Sequence, residues 1–181
     1  MPSRKVPRVG LLIGRFQPFH YGHLAAIRFA VEHVDYLYVV VSSAQKNNEF
    51  DDPFTASERI SMIKDALDGS GLEPSKWMAI PMVDTPSLAL WVAALNSIIP
   101  RFDVVFSNDP LALSLFRRYG VRVKSVPYFN RKLFSGANVR RRIGEGTAWE
   151  SLVPVEAARL LKEFGCVRRI RTLSDKFVRP S

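Results

Sequence analysis

The segment Gly14-Arg15-Phe16-Gln17-Pro18-Phe19-His20-Tyr21-Gly22-His23 gathers two glycines, an arginine and two histidines within ten residues. Imidazole N–H groups and a guanidinium fork are donors suited to phosphate oxygens. The segment lacks the glycine spacing of a dinucleotide fingerprint and the Gly-Lys-Ser/Thr ending of a P-loop, so another phosphate chemistry is needed. Two histidines three apart could begin a zinc site, but a third ligand is normally required. The only other histidine, His33, lies about three helical turns onward, so no protein metal site is expected. Either histidine alone reads as a capped or partly buried loop residue. Gly22 between them, with a helix start behind, points instead to two imidazoles donating to one phosphate.

A second group with chemical potential is Arg140, Arg141 and Arg142, which follows the turn Ser135-Gly136 and opens a predicted helix. Arg168, Arg169 and Arg171, near the carboxyl end, read as a solvated surface. Ser107-Asn108-Asp109 follows a predicted strand and is expected near a nucleotide base or ribose.

These residues need elements to hold them. Apolar runs at 9–13, 36–41, 77–82, 104–107 and 121–126 read as five buried strands. Helical patterns alternate with them: from Gly22 onward, a helix capped by Thr55 with Glu58 three residues later, then 87–99 and 110–119. Continuously apolar strands separated by helices predict an α/β fold, a doubly wound, Rossmann-like five-stranded parallel sheet with helices on both faces. Short helices at 138–144 and 154–164 predict a small helical C-terminal extension. We read one domain, with its core over about 8–145 and a helical tail over 146–181. In such sheets ligands bind beyond the carboxyl ends of the strands, which selects the loop 14–22.

The 181 residues are 47% hydrophobic, with 26 Lys and Arg against 17 Asp and Glu, a formal charge of +9. An anionic partner is expected, and nucleotide and nucleic acid both qualify on charge alone. The basic clusters are not interleaved with aromatic platforms and match no nucleic-acid motif, so no nucleic acid is expected. The single cysteine, Cys166, excludes an internal disulfide. No run approaches a membrane span and residues 1–8 lack the apolar core of a signal peptide, so the expectation is cytoplasmic, without a membrane partner.

With His20-Tyr21-Gly22-His23 as signature, the sequence resembles the His-x-Gly-His nucleotidyltransferases. The residues 14–20, Ser43-Ala44-Gln45, Asp52-Pro53-Phe54-Thr55-Ala56, Glu58-Arg59 and Ala89-Leu90-Trp91-Val92 together resemble archaeal nicotinamide mononucleotide adenylyltransferases, over about 9–143. The family's second signature, Ser-x-Thr-x-x-Arg, aligns on Ser135-Gly136-Ala137-Asn138-Val139-Arg140. Ala137 takes the place of the threonine, and Asp51 stands where archaeal members commonly carry a basic residue.

The resemblance implies adenylyl transfer from ATP to nicotinamide mononucleotide, giving NAD and pyrophosphate. His20, His23, Arg15 and Arg140 would be catalytic. Gly14, Phe16, Gly22, Asn108 and Ser135 would join them around ATP; Phe16, Trp91, Asp84 and Gln45 would contact the acceptor, with Trp91 against the nicotinamide ring. Without the resemblance, Trp91 reads as core packing. Mg2+ would arrive with ATP, and the assembly would be a homo-oligomer, with a hexamer the candidate. Alternatives are another phosphate acceptor, nicotinic acid mononucleotide or phosphopantetheine, or a weakly active nucleotide-binding paralogue.

Overall fold

The computed structural model describes residues 6–178; residues 1–5, part of the segment screened for a signal peptide, and 179–181 lie outside it. Five strands form the sheet: β1 (Val9–Gly14), β2 (Tyr36–Val41), β3 (Trp77–Pro81), β4 (Val104–Phe106) and β5 (Arg122–Lys124). Their order is β3-β2-β1-β4-β5 and every pairing is parallel. β1 is central, with β2 on one side and β4 on the other, so the chain reverses direction across the sheet there. That switch point opens a crevice at the carboxyl end of β1.

Alternate residues of each strand feed two cores, as the two-residue period of a strand requires. Leu12, Leu37, Val39, Val104 and Phe106 face α1 (Tyr21–Val31) and α2 (Ala56–Gly69), through buried Ile27, Ala30, Met62, Ile63 and Leu67. Leu11, Val40 and Val105 face the other way, against Trp91, Val92 and Leu95 of α3 (Leu88–Ile98) and Phe116 of α4 (Pro110–Arg118). Both faces are therefore covered, as the unbroken apolar strands demand.

The caps anchor these helices where the sequence places them. Thr55 Oγ1 accepts from the Glu58 N–H at 3.2 Å while Glu58 accepts from the Thr55 N–H at 2.8 Å, a reciprocal pair that satisfies two otherwise orphaned donors. Ser135 caps α5 (Gly136–Glu145) through the Asn138 N–H.

Two features differ from expectation. β5 stops at Lys124, two residues short of the predicted end, because the Asn108 amide takes over the pairing. Its Nδ2 donates to the Val126 carbonyl at 2.8 Å and its Oδ1 accepts from the Val126 N–H at 3.1 Å. The second difference is a further helix, α7 (Cys166–Val178), after α6 (Val155–Glu163). Within it Arg169 is no solvated surface residue: its guanidinium forks onto Glu58 at 2.7 and 2.8 Å and donates to the Pro53 carbonyl at 3.0 Å. The tail thus grips the start of α2, while α6 lies along α2 and α7 along α5.

Candidate active site

Beyond the carboxyl ends of β1 and β4 lies a cavity of about 730 Å³, walled by the loop after β1, the start of α1, the loop after β4 and the start of α5. Arg15, Phe16, His20, Gly22, His23, Asn108, Ser135 and Arg140 all line it, although Arg140 stands more than a hundred residues from the histidines. Ala137 also lines it. Gly14 ends β1 at its edge.

The two imidazoles stack, with ring centroids 3.7 Å apart and planes inclined by 22°. Phe16 meets the His23 ring edge-on at 4.7 Å and Phe19 lies 5.7 Å from it. Burial lowers the His20 pKa to about 4, and burial followed by repulsion from His20 lowers that of His23 well below its ordinary value. Both rings are therefore neutral at pH 7, each with one N–H to give. Nδ1 of each ring is buried and meets no partner, which leaves Nε2 as the nitrogen available to the cavity. Gly22 makes this stack possible: a Cβ there would stand 3.0 Å from His20 Nδ1 and 3.2 Å from the Phe134 carbonyl oxygen.

Two helix amino termini, those of α1 and α5, contribute to the cavity, and neither carries an acidic residue in its first turn. Their free N–H groups and partial positive charge remain available to an anion. Arg140 is buried. Its Nη1 donates to the Gln17 carbonyl at 2.7 Å and its Nη2 to exposed Asp51 at 2.8 Å. Asp51 is thus the present partner of a phosphate-binding candidate. Gly136 allows the approach behind that bond, since a Cβ would sit 2.6 Å from the Gln17 carbonyl oxygen. Of the second basic cluster only Arg140 reaches the cavity; Arg141 pairs with Glu145, and Arg142 donates to the Ala148 carbonyl.

Other candidates have structural duties at the same place. The Ser135 hydroxyl is the α5 cap and both ends of the Asn108 amide are taken by Val126. They shape the wall of the cavity through these bonds.

Of the residues expected to contact the acceptor, Gln45, Asp84 and Trp91 lie outside the lining of this cavity. Ser43 Oγ donates to Asp84 Oδ1 at 3.0 Å, Gln45 Oε1 accepts from the Asp84 N–H at 3.0 Å, and Lys46 stands 3.8 Å from Asp84. These lie past the ends of β2 and β3, the next strands along the sheet. Trp91 is buried in the apolar cluster that also holds Met82 and Val40. Phe16 lines the cavity from the loop between the two groups.

The residue that joins them was missed from the sequence. Arg59, fully buried, donates from Nε to the Thr55 carbonyl at 3.2 Å, from Nη1 to those of Arg15 and Ser42 at 2.9 and 2.8 Å, and from Nη2 to that of Ser43 at 3.0 Å. Phe16 and Ser43, beside these carbonyls, hold φ near +53° and +52°, a region that side-chain-bearing residues rarely occupy. One guanidinium therefore fixes two strained loops, those after β1 and β2. The signal was available: Arg59 falls on the apolar stripe of α2 with Met62, Ile63 and Ala66. Gln17 adds a second tie, its buried amide exchanging two 3.0 Å bonds with the Phe54 backbone.

Among the described residues, no group of three or more His, Cys, Asp or Glu side chains converges as a metal cage.

Residues 11–142 match the family model described as cytidylyltransferase-like. The nicotinamide-nucleotide adenylyltransferase of Methanosarcina mazei is 44% identical over 162 residues, 90% of this chain and 92% of its own length. Its namesake from Pyrococcus furiosus is 42% identical over 166 residues, 91% of this chain and 88% of that protein. Among solved structures, the bifunctional NMN adenylyltransferase/ADP ribose pyrophosphatase from Francisella tularensis superposes with a TM-score of 0.81 at 18% identity. It matches 94% of this chain and about half (53%) of that longer one, and it shares the fold. On the family match over most of its length and on these identities, the chain belongs to the cytidylyltransferase-like family and, within it, to the archaeal-type nicotinamide-nucleotide adenylyltransferases.

Proposed function

We propose that this protein transfers the adenylyl group of ATP to nicotinamide mononucleotide, releasing pyrophosphate and forming NAD. The observation that carries this reading is the convergence of neutral, stacked His20 and His23 with Arg140 on one cavity, together with relatives of that name at over 40% identity. The acceptor's phosphate oxygen attacks the α-phosphorus of ATP in line, and the bond from that phosphorus to the bridging oxygen of pyrophosphate breaks. The attacking oxygen is already anionic, so no base or protein nucleophile is required.

The protein's work is alignment and charge stabilisation. His23 donates to the α-phosphate, where charge accumulates as the new bond forms. His20 donates along the triphosphate, and Arg15 and Arg140 hold phosphates from two sides, with guanidinium forks suited to that geometry. The amino termini of α1 and α5 add fixed positive potential. Mg2+ arrives bound to ATP and neutralises triphosphate charge. On the acceptor side, Trp91, Asp84 and Gln45 serve the nicotinamide nucleotide, with Phe16 as the wall between the two substrates.

We also read the chain as one nucleotidyltransferase domain, cytoplasmic and assembled from identical copies, with a hexamer the candidate assembly. Among the described residues no helix is long and apolar enough to cross a membrane. Exposed Met78, Val83, Leu88, Leu90 and Ile98 around β3 and α3 favour self-association.

The test is pyrophosphate release from MgATP with nicotinamide mononucleotide, run beside nicotinic acid mononucleotide and phosphopantetheine, with His23→Ala as control. Release with the nicotinamide acceptor, abolished in the variant, supports the proposal; release with phosphopantetheine alone reassigns the acceptor. A second reading, a weakly active nucleotide binder, rests on Ala137 in the cavity wall where the family signature has a hydroxyl. On that reading Ala137→Thr raises turnover.

A further inference from the structure

We propose that the opposite, amino-terminal end of the sheet carries a second ligand site, for a phosphate-bearing small molecule of nucleotide size. A cavity of about 460 Å³ lies there, between the starts of β1, β4 and β5 and the end of α1. That volume falls within the range of small-molecule sites.

The cavity follows from how the sheet is covered. Arg122 and Lys124, two residues apart on edge strand β5, share one face, with Val104 and Phe106 beside them in register. Val123 between them packs into the opposite core. The helix that follows β5, α5, lies against α7, and beyond the end of α1 the edge of β4 and β5 borders the cavity. The floor is apolar, from buried Val104 and Phe106, and the rim is cationic.

The charges there are unbalanced. Arg8, Arg101, Arg122 and Lys124 line the cavity with a single carboxylate, Asp103. That carboxylate is already engaged: Oδ1 takes the Arg101 fork at 3.2 and 2.8 Å, and Oδ2 takes the Val9 N–H at 2.8 Å. Arg8 adds only a longer-range attraction to it. Lys124 lies 5.2 Å over the Phe29 ring, and Arg122 has no carboxylate partner among the described residues. An apolar floor beneath a cationic rim suits a ligand with a flat or aliphatic body and a phosphate group. A concavity of this size, half open to solvent, takes one small ligand rather than a polyanionic strand, which binds along an extended stripe. Phe106 is in the wall of both cavities, so an occupant here touches a side chain of the adenylyl-transfer site.

The test is calorimetric titration of the full chain with magnesium ADP. We expect two components per chain. Arg122→Glu combined with Lys124→Glu should weaken one component at least tenfold and leave the other in place, with pyrophosphate release from ATP within about twofold of the parent. The milder Arg122→Gln should weaken the same component about threefold, which keeps the test open if the double variant fails to fold. One component up to millimolar ADP, or two components that neither variant moves, would overturn the proposal. So would a short DNA duplex that displaces ADP from this component at equal phosphate concentration. The readout is binding, so it stands apart from the identity of the acceptor.

Discussion

Replacing Arg59 by lysine keeps the charge and removes the fork that ties two loops together. The guanidinium serves four backbone carbonyls, those of Thr55, Arg15, Ser42 and Ser43. The Thr55 and Ser43 carbonyls also accept backbone N–H groups, from Arg59 itself and from Lys46, both at 3.1 Å, so the carbonyls of Arg15 and Ser42 are the two that lose their donor when a single ammonium on a shorter reach replaces the fork. Each such loss costs about 1–3 kcal/mol, so the variant should be less stable by about 3–4 kcal/mol, a large part of the total for a protein of this kind. With a urea slope of about 2 kcal/mol per M, the unfolding midpoint should fall by about 1.5–2 M. The loops it releases hold Phe16 and Ser43 at positive φ, and they relax once untied, so the KM for both substrates should rise well beyond what lost stability alone explains. Urea unfolding followed by tryptophan fluorescence, with initial rates taken at a temperature where the variant stays folded, measures both effects. A midpoint shift under about 0.5 M with unchanged KM would refute the role given to Arg59.

Gly136→Ala sets a Cβ against the Gln17 carbonyl at a distance no real contact tolerates; turnover should drop at least tenfold with overall stability lowered by about 1–3 kcal/mol, and wild-type rates would dismiss the Arg140–Gln17 contact as a determinant. Asp51→Asn removes the charge that now holds Arg140; the KM for ATP should fall by about two- to fivefold, and an increase would show that Asp51 helps the triphosphate. The pKa of His20 is lowered from 6.5 to about 4. Between those values only the unfolded chain takes up the proton, so stability present above pH 6.5 is lost on acidification toward pH 4, by up to about 3 kcal/mol from this group. Urea titrations at pH 7 and 4.5 should show a smaller loss for His20→Asn, and equal losses would contradict the assignment. Glu58→Gln weakens both the α2 cap and the Arg169 fork, for an expected cost of about 1–3 kcal/mol by thermal unfolding.

The sheet was legible because its strands are buried on both faces and so read as unbroken apolar runs, with Gly120 and Ser135 marking helix boundaries that the structure keeps. Helix α7 was not, because its arginines look solvated in sequence. Arg169 becomes half-buried only when Glu58, over a hundred residues earlier, comes to meet it. The phosphate-binding candidates could be read from residue type and local spacing. The ties that hold them, Arg59 to three loop carbonyls and Gln17 to the Phe54 backbone, use main-chain partners that any residue could supply, so no side-chain pattern announces them. Asp51 on Arg140 is invisible for a related reason: it pairs residues 89 apart.

The Arg140–Gln17 bond spans 123 residues, and this sets an order of events during synthesis. A nascent chain that has emerged through β5 holds both histidines and all five strands, but has neither the arginine nor the helix start that completes the phosphate cradle. On the proposed reading such an intermediate can assemble a sheet without being able to clamp a triphosphate, and that ability waits until α5 has emerged behind β5. Ligand present in the cell can then reward only chains whose two ends have already met.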